Sequence, residues 1–498
     1  MAVTEPQQTK DDAEAEKTRK IKEKHLKHIA KITKNIPRIR GRKLTEDEEE
    51  HAETKRVNAG KPAKGPIVEC ATKAIMMGHK FITIEESEEI LYYDNGVYVT
   101  GAEVIIEKHA EKLYGYTLAN KHLAEIKGHV KRRTYHKREE IDADINIINL
   151  KNGLYNILED KLSEHSPEYP SINQKPIVYN KRAMPKLFGK FLIQVLYKKD
   201  VKTAIDALAY TFYRDYIVEL IFVLYGLGAN GKTVFTSLLT SLHGTRNVSN
   251  VPLPAMLNNR FALADLENKD VNIDSELPYT TIKETSILKK LTSGSKQPIR
   301  IERKNQRAYD AGLYAKLFFN ANRIPESMDM SDAYNRRMII MSFPNLFDGK
   351  NADPHLLSKL TTEEELSGIF NVCMMALRRI IVNKGLYINE QTIEERRIKY
   401  ERNVNPVKAF IEEAIAEDST ADTQISKKEV HDAYVVFCDK YTLPPEKYDH
   451  FCKILKNQFD IKEMRVEVGR EGKREMWWRG LVLTPEYAPE RVRLPWLP

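Results

Sequence analysis

The clearest pattern of apolar positions is a continuous apolar run, then glycines, then apolar residues at helical spacing. Residues 221–225 are all apolar, which is typical of a strand covered on both faces of a sheet. A glycine-rich stretch follows, and helical spacing starts near Lys232 and runs to Leu242. We therefore predict a buried strand, a glycine loop and a helix, at the centre of an α/β fold.

Strand-like and helix-like patterns also precede this run. Residues 89–100 alternate around Asn95-Gly96, a dipeptide that favours a hairpin turn, and residues 147–157 form a second hairpin pattern. Helical spacing covers residues 102 to about 129 and residues 185–216. This region is predicted to contain an α+β domain with no catalytic constellation.

Three short apolar segments follow the glycine loop, and polar residues flank each of them. Residues 270–276 and 315–322 end in acids and amides, and an arginine pair precedes the segment that ends at Phe343. These segments are predicted to lie in the same sheet as the first strand. Residues 298–307 alternate around a polar tip, which predicts a hairpin carrying cations.

The last hundred residues predict a module of their own. Helical patterns begin near Val407, Ser426 and Tyr448, and a hairpin with a basic, glycine-bearing tip follows. Three helices and a hairpin indicate a winged-helix domain, which could contact DNA phosphates or dock a protein. The basic residues that could meet DNA are Lys453, Lys456, Arg470, Lys473 and Arg474.

Composition limits the class of protein. The chain has 498 residues, enough for about three domains, and a formal charge of +8 that permits an anionic partner. Its four cysteines include no C-x-x-C pair, so neither zinc nor a disulfide framework is indicated. The start of the chain has no apolar signal core, and no apolar run is long enough to cross a membrane. We expect a cytoplasmic protein without a membrane partner.

The glycine loop carries the most specific chemistry. The stretch from Gly226 to Thr233 reads GLGANGKT and matches G-x-x-x-x-G-K-[ST], a loop whose N–H groups cradle phosphates. Lys232 would reach the β- and γ-phosphates, and the Thr233 hydroxyl would bind Mg²⁺. We therefore predict bound ATP and Mg²⁺. The residues expected to contact the nucleotide are Gly226, Leu227, Gly228, Ala229, Asn230, Gly231, Lys232, Thr233 and Val234.

The polar residues beside the later strands are candidates for catalysis. Asp274 or Glu276 could hold Mg²⁺ or polarise the attacking water, although both could be ordinary strand-end acids. Asn322 could orient water beside the γ-phosphate. Arg336 and Arg337 could stabilise the transferring phosphoryl group, in cis or from a neighbouring subunit, or could be a plain surface pair.

The cationic hairpin also has two interpretations. Its tip could be a solvated turn, or a probe that grips phosphates inside a channel. The residues expected to bind DNA in the second case are Arg303, Lys304 and Arg307.

With these residues in hand, the chain resembles superfamily 3 helicases of the poxvirus and phage/plasmid primase–helicase type. The resemblance includes INLKNGLYNI before the core, the NGKT of the loop, and LTSG at residues 291–294. It continues with Asn322 shortly before a proline and with the Arg336-Arg337 pair. The pattern departs at Ser275, which separates Asp274 from Glu276, and Glu276 is favoured as the key acid.

The resemblance implies an AAA+-like P-loop ATPase that assembles into a ring, usually a hexamer, with ATP between subunits. It implies an arginine finger in trans, and single-stranded and forked DNA as partners. A primase or polymerase would be a separate partner, since no primase domain is expected before the family region. The predicted division is a charged, flexible tail (1–65), an N-terminal domain (66–190), the ATPase (191–385), a charged linker or helix (386–405) and a winged helix (406–490).

Three functions are compatible with these patterns. The leading hypothesis is an ATP-driven DNA helicase for replication of a virus, plasmid or integrated element. A P-loop ATPase that remodels protein would instead respond to a protein partner. A nucleotide-gated initiator would bind origin DNA with little unwinding.

Overall fold

The structure is a computed structural model, and it describes most of the chain after residue 65. The predicted tail and the hairpin residue Arg470 lie outside the described residues. Of the described residues, 66–78 and 103–130 form one compact unit, and the rest form a second. The described ranges are 66–304, 307–329, 331–390, 392–417, 424–441, 443–458, 462–468 and 473–488.

The first unit is helical. Its helices are α1 (Pro66–Gly78), α2 (Ala102–Tyr114) and α3 (Asn120–Arg133), the last two extending slightly beyond it. The helical stretch predicted over residues 102 to about 129 consists of these last two helices. The chain breaks at Gly115, whose φ of 53° lies in the left-handed region that only glycine adopts at little cost.

The second unit begins with two small four-stranded sheets. Asn95 and Gly96 both have positive φ between β2 and β3, as the predicted hairpin turn requires. The second hairpin is also confirmed, with β5 and β6 antiparallel. The strand orders are β3-β2-β1-β4 and β7-β6-β5-β8. The strands are β1 (Phe81–Ile84), β2 (Ile90–Asp94), β3 (Val97–Val99), β4 (Tyr135–His136), β5 (Ile147–Leu150), β6 (Gly153–Asn156), β7 (Lys161–Ser163) and β8 (Gln174–Lys175).

A five-stranded parallel sheet forms the centre of the second unit, in the order β10-β11-β14-β9-β15. Its strands are β9 (Ile221–Tyr225), β10 (Val248–Ser249), β11 (Val271–Asp274), β14 (Lys316–Ala321) and β15 (Met338–Ser342). Strand β9 is buried on both faces. Phe222 and Leu224 pack in one core, and Ile221, Val223 and Tyr225 pack in the other. This two-sided burial explains its continuous apolar sequence.

Helices and a hairpin surround this sheet. The helices are α4 (Phe188–Val195), α5 (Val201–Tyr210), α6 (Lys232–His243), α7 (Leu253–Asn258), α8 (Ser286–Leu291), α9 (Asp332–Asn335), α10 (Leu356–Leu360), α11 (Glu363–Asn383) and α12 (Ile393–Val404). The predicted cationic hairpin is β12 (Ile299–Ile301) and β13 (Tyr309–Ala311), which pair antiparallel. The predicted charged linker is mostly α12, whose first turn is closed by a Thr392–Glu395 capping box.

The boundary predicted at residue 190 does not divide the packing. Ile148 and Tyr155 of the second small sheet share one buried core with Phe188 of α4 and Phe222 of β9. Hydrophobic contact therefore continues from residue 148 into the central sheet, and the predicted boundary falls inside a single core.

The C-terminal region has a separate core, built on Phe410, Tyr434, Phe437 and Trp478. The first residue of this core along the chain is Val407. Ser426 caps α14 as predicted, accepting from the Glu429 N–H at 3.1 Å. Strand order is β17-β19-β18, with β16 and β20 paired beside it. The elements are α13 (Pro406–Ala414), β16 (Ile415–Glu417), β17 (Gln424–Ser426), α14 (Lys427–Tyr441), α15 (Tyr448–Gln458), β18 (Lys462–Val468), β19 (Lys473–Arg479) and β20 (Leu481–Leu483).

Two kinds of feature are missing from the described part of the chain. None of its helices has the length and apolar character needed to span a membrane. It also contains no cluster of three or more His, Cys, Asp or Glu side chains that could hold a metal by themselves, and its cysteines are free thiols.

Candidate functional site

The glycine loop connects the carboxyl end of β9 to the amino end of α6. At Gly226 an added Cβ would lie 2.7 Å from the Phe343 carbonyl oxygen, so no larger residue fits there without a shift. Gly228 and Gly231 have φ of 105° and 91°, in the left-handed region that favours glycine. Asn230 is buried and donates from Nδ2 to the Phe343 carbonyl at 3.2 Å. The loop shape therefore depends on these four residues.

The loop presents backbone donors to a cleft. The N–H groups of Gly228, Ala229 and Gly231 have no acceptor among the described residues. The first turn of α6 adds N–H groups that a helix leaves unpaired, together with the positive end of its dipole. Such a set of convergent donors is suited to an anion.

Lys232 contributes a cation that has no counter-ion among the described residues. Its side chain is 7% exposed and forms no ion pair with any described residue. Nζ donates to the Gly226 carbonyl and, at 3.2 Å, to Oδ1 of Asn322, which lies 90 residues later. Burial lowers the pKa of Lys232 from 10.5 to about 8. A bound anion would restore the charge balance that burial removes.

The two candidate acids have different environments. Asp274 is buried at the end of β11 and accepts from the N–H groups of Leu253 at 2.9 Å and Glu276 at 3.2 Å. Burial raises the pKa of the Asp274 carboxyl. Glu276 is exposed and lines the cleft, and its carboxylate forms no ion pair within the described ranges. Asp274 thus organises the backbone, while Glu276 faces the cleft.

Asn320 was missed by sequence reasoning. It lies in β14, the strand beside β9, and it is buried and lines the cleft. Its Oδ1 has no hydrogen-bond partner among the described residues. Buried polar atoms usually have a hydrogen-bond partner, so this oxygen is available to accept a hydrogen bond from a group bound in the cleft. The available signal was the pair of amides at the end of this strand, from which only Asn322 was selected.

These side chains converge on one cavity of about 620 Å³. Seven of the nine predicted nucleotide contacts line it, namely the residues from Gly228 to Val234. Gly226 and Leu227 do not line it; the Gly226 carbonyl accepts from Lys232, and Leu227 is exposed. The lining residues are Gln194, Val195, Gly228, Ala229, Asn230, Gly231, Lys232, Thr233, Val234, Ser275, Glu276, Asn320, Asn322, Phe347, Asn351, Ala352, Asp353 and Leu356.

The paired arginines lie away from this cavity. Arg337 has a side chain only 5% exposed, and it donates to Thr292 Oγ1 at 2.9 Å and to Glu219. Thr292 belongs to the LTSG stretch, so that stretch serves to hold Arg337. Arg336 is 46% exposed and contacts Glu219 at 2.8 Å. Of the pair, only Arg336 is accessible to a neighbouring molecule.

The three hairpin residues that were predicted to bind DNA also differ in their contacts. Arg303 donates to Glu267 Oε2 at 2.7 Å and is tied to the protein. Lys304 and Arg307 are exposed and form no ion pair with the described residues. Of the three, only these two have no carboxylate partner among the described residues.

The C-terminal basic residues are less informative. Lys456 pairs with Glu463 at 3.1 Å, and Lys453 is exposed on α15. Lys473 and Arg474 lie in β19. A DNA-binding role for these residues stays a prediction.

Comparisons with known proteins indicate which protein families this chain is similar to. Residues 13–196 match a family described as "D5 N terminal like", and residues 224–337 match a "Family of unknown function (DUF5906)". The D5 match supports a D5-like phage or viral primase–helicase family, which is the coarser part of the resemblance. The mixed α/β fold with a parallel sheet is confirmed.

Solved structures were also similar, at low identity. They include "The apo structure of NrS-1 C terminal region (305-718)", with 12% identity, 84% of this chain and 100% of that chain covered, and a TM-score of 0.43. An "A form apo structure of NrS-1 C terminal region-CTR" has 12% identity, coverage of 83% and 98%, and a TM-score of 0.42. No curated protein matched the chain.

Proposed function

We propose that this protein is an ATP-dependent DNA helicase of superfamily 3 that acts in replication of a virus, plasmid or integrated element. The observation that supports it most is the cleft where Lys232, Glu276 and Asn322 meet at the carboxyl edge of a parallel sheet. Ligands bind at this edge in open α/β sheets. The D5 match adds a phage or viral replication context.

The residues of the cleft fit a triphosphate with Mg²⁺. The N–H groups of Gly228, Ala229 and Gly231 and the buried cation of Lys232, which have no acceptor or counter-ion among the described residues, suit the phosphate oxygens. Thr233, with Glu276 directly or through water, would hold Mg²⁺, which would screen the phosphate charge. The unpaired Oδ1 of Asn320 would accept from a water of that site.

Three side chains would take part in ATP hydrolysis. Glu276 would orient the attacking water, because its carboxylate faces the cleft and is not used by the fold. Lys232 would stabilise charge that develops on the γ-phosphate. Asn322, which accepts from Lys232 at 3.2 Å, would sense loss of that phosphate.

The base would occupy a second cavity of about 390 Å³. This cavity also contacts Gly228 and Asn230, so it adjoins the phosphate cleft. Tyr197, Tyr225 and Phe343 offer aromatic surface for stacking.

Coupling to DNA would use the hairpin and a ring of subunits. Lys304 and Arg307 would contact phosphates of single-stranded or forked DNA without sequence preference. Arg336, accessible and away from its own cleft, would complete the site of the neighbouring subunit in a ring, as a hexamer would require. A separate primase or polymerase would be a further partner of this assembly.

One experiment tests this proposal. ATP hydrolysis is measured with and without single-stranded DNA, and the mass of the assembly is measured with and without nucleotide. We expect DNA-stimulated turnover, DNA unwinding and a nucleotide-supported ring. Stimulation by a protein instead would favour a remodelling ATPase, DNA binding without unwinding would favour an initiator, and no response to ATP would refute the site.

A further inference from the structure

The side chain of Glu267 joins distant parts of the second unit. It follows the short helical turn at 262–266 and is only 3% exposed. Arg303 Nη2 and the Tyr309 hydroxyl both donate to its Oε2 at 2.7 Å. Arg138, from the segment after α3, pairs with its Oε1. One buried carboxylate therefore holds two guanidinium groups and a phenol.

These contacts lie at the base of the cationic hairpin. Arg303 follows β12 and Tyr309 begins β13, so Glu267 holds both strands where the tip begins. The Arg138 guanidinium also lies 5.1 Å from the centre of the Tyr309 ring, within cation–π range. Apolar residues of the hairpin, such as Ile299 and Ile301, pack in a buried core. Apart from the Glu267 contacts, the described polar contact nearest the tip is that of Glu302 with exposed Arg260 at 3.3 Å.

Loss of the Glu267 carboxylate would destabilise this cluster. Removing the carboxylate would leave two partly buried guanidinium groups close together without a counter-ion, and they would repel each other. Hydrogen bonds to ionised groups are the stronger ones, so the loss would act on the hairpin more than an ordinary surface change.

We propose that Glu267 is a positioning residue that fixes the hairpin so that Lys304 and Arg307 meet DNA at a defined place. This inference rests on the proposed function. Arg303 then acts through Glu267 and does not contact DNA, which separates it from the two exposed cations that follow it in sequence.

Glu267→Gln tests this role, because glutamine keeps the shape and removes the charge. Glu302→Gln is the matched control, since Glu302 lies on the same hairpin and pairs only with exposed Arg260 at 3.3 Å. We expect Glu267→Gln to need at least about tenfold more single-stranded DNA for half-maximal ATPase stimulation, the loss expected for one charge-assisted bond. Basal turnover and nucleotide affinity should be unchanged, and Glu302→Gln should behave as wild type.

Two further measurements separate positioning from a general loss of fold. Amide hydrogen exchange in β12 and β13 should accelerate in Glu267→Gln and not in Glu302→Gln, while the central sheet stays protected. Tyr309→Phe, which removes one bond, should show a smaller loss in the same direction.

A double-mutant cycle tests the role of Arg303. If Arg303 acts through Glu267, the double variant Glu267→Gln with Arg303→Gln should need no more DNA than either single variant. Additive losses would show direct DNA contact by Arg303 and would overturn the assignment. Wild-type stimulation and exchange in Glu267→Gln would also overturn it. A wild-type ATPase that ignores DNA would refute the proposed function itself, which is a different result.

Discussion

Replacing Lys232 by methionine should stabilise the nucleotide-free protein and abolish its response to nucleotide. Burial lowers the pKa of this lysine from 10.5 to about 8, because no described carboxylate compensates the charge. The unfolded chain therefore holds the proton to higher pH than the folded protein does. Stability of the free protein should rise as pH increases from about 8 to 10.5, since the unfolded state binds more protons there.

The magnitude follows from the same shift. A fall from 10.5 to about 8 corresponds to an upper bound of about 3 kcal/mol for keeping the charge at pH 7. The cleft is open to water and methionine loses two hydrogen bonds, so we expect a net gain of about 1–2 kcal/mol. For a domain of this size, that gain is a rise in Tm of about 2–6 °C.

The assay is thermal unfolding at pH 7 with and without Mg-ADP. Wild type should be stabilised by nucleotide, whereas Lys232→Met should start higher and not respond. Lys290→Met, which changes an exposed lysine of α8, should resemble wild type in both conditions. A Lys232→Met protein that is less stable than wild type, or that Mg-ADP still stabilises, would refute the reasoning.

The same lysine predicts a pH dependence of binding. At pH 9 about one tenth of Lys232 would be charged, so Mg-ADP should bind roughly tenfold more weakly than at pH 7. Lys232→Arg stays charged throughout this range, and any nucleotide affinity that it retains should vary much less with pH. An affinity that is constant from pH 7 to 9 in wild type would contradict an uncompensated lysine at the phosphates.

Other side chains of the site have separable effects. Glu276→Gln should retain nucleotide binding and lose turnover by at least about a hundredfold, whereas Asp274→Asn should mainly lower Tm, because Asp274 holds two backbone N–H groups. Equal turnover in the two variants would contradict the different roles assigned to Glu276 and Asp274. Lys304→Ala with Arg307→Ala should weaken binding of single-stranded DNA and reduce its salt dependence by about 1–2 in slope, with basal turnover intact. An unchanged salt dependence would show that the hairpin does not contact DNA. Arg336→Ala subunits mixed with Lys232→Met subunits should regain activity that neither has alone, unless sites are not shared.

The sequence by itself determined the parts whose physics is local. A continuous apolar run, glycines with positive φ and a following helical pattern specify the strand, the glycine loop and helix α6, and alternation around Asn95-Gly96 specifies a hairpin. Both are observed because backbone preference and two-sided burial act over a few residues. The sequence only favoured Glu276 over Asp274, since the two acids lie two residues apart at the end of one apolar segment.

Only the tertiary structure decided which side chains meet and which are already used by the fold. Sequence cannot show that Glu219 and Thr292 occupy Arg337, that Glu267 occupies Arg303, or that Asn320 is left without a partner. Those outcomes depend on residues 36 to 118 positions apart brought together by strand order. Long-range packing also placed Ile148 in the same core as Phe222 of the central sheet. Apolar side chains pack according to the arrangement of the strands in space, which a change of composition along the chain does not reveal.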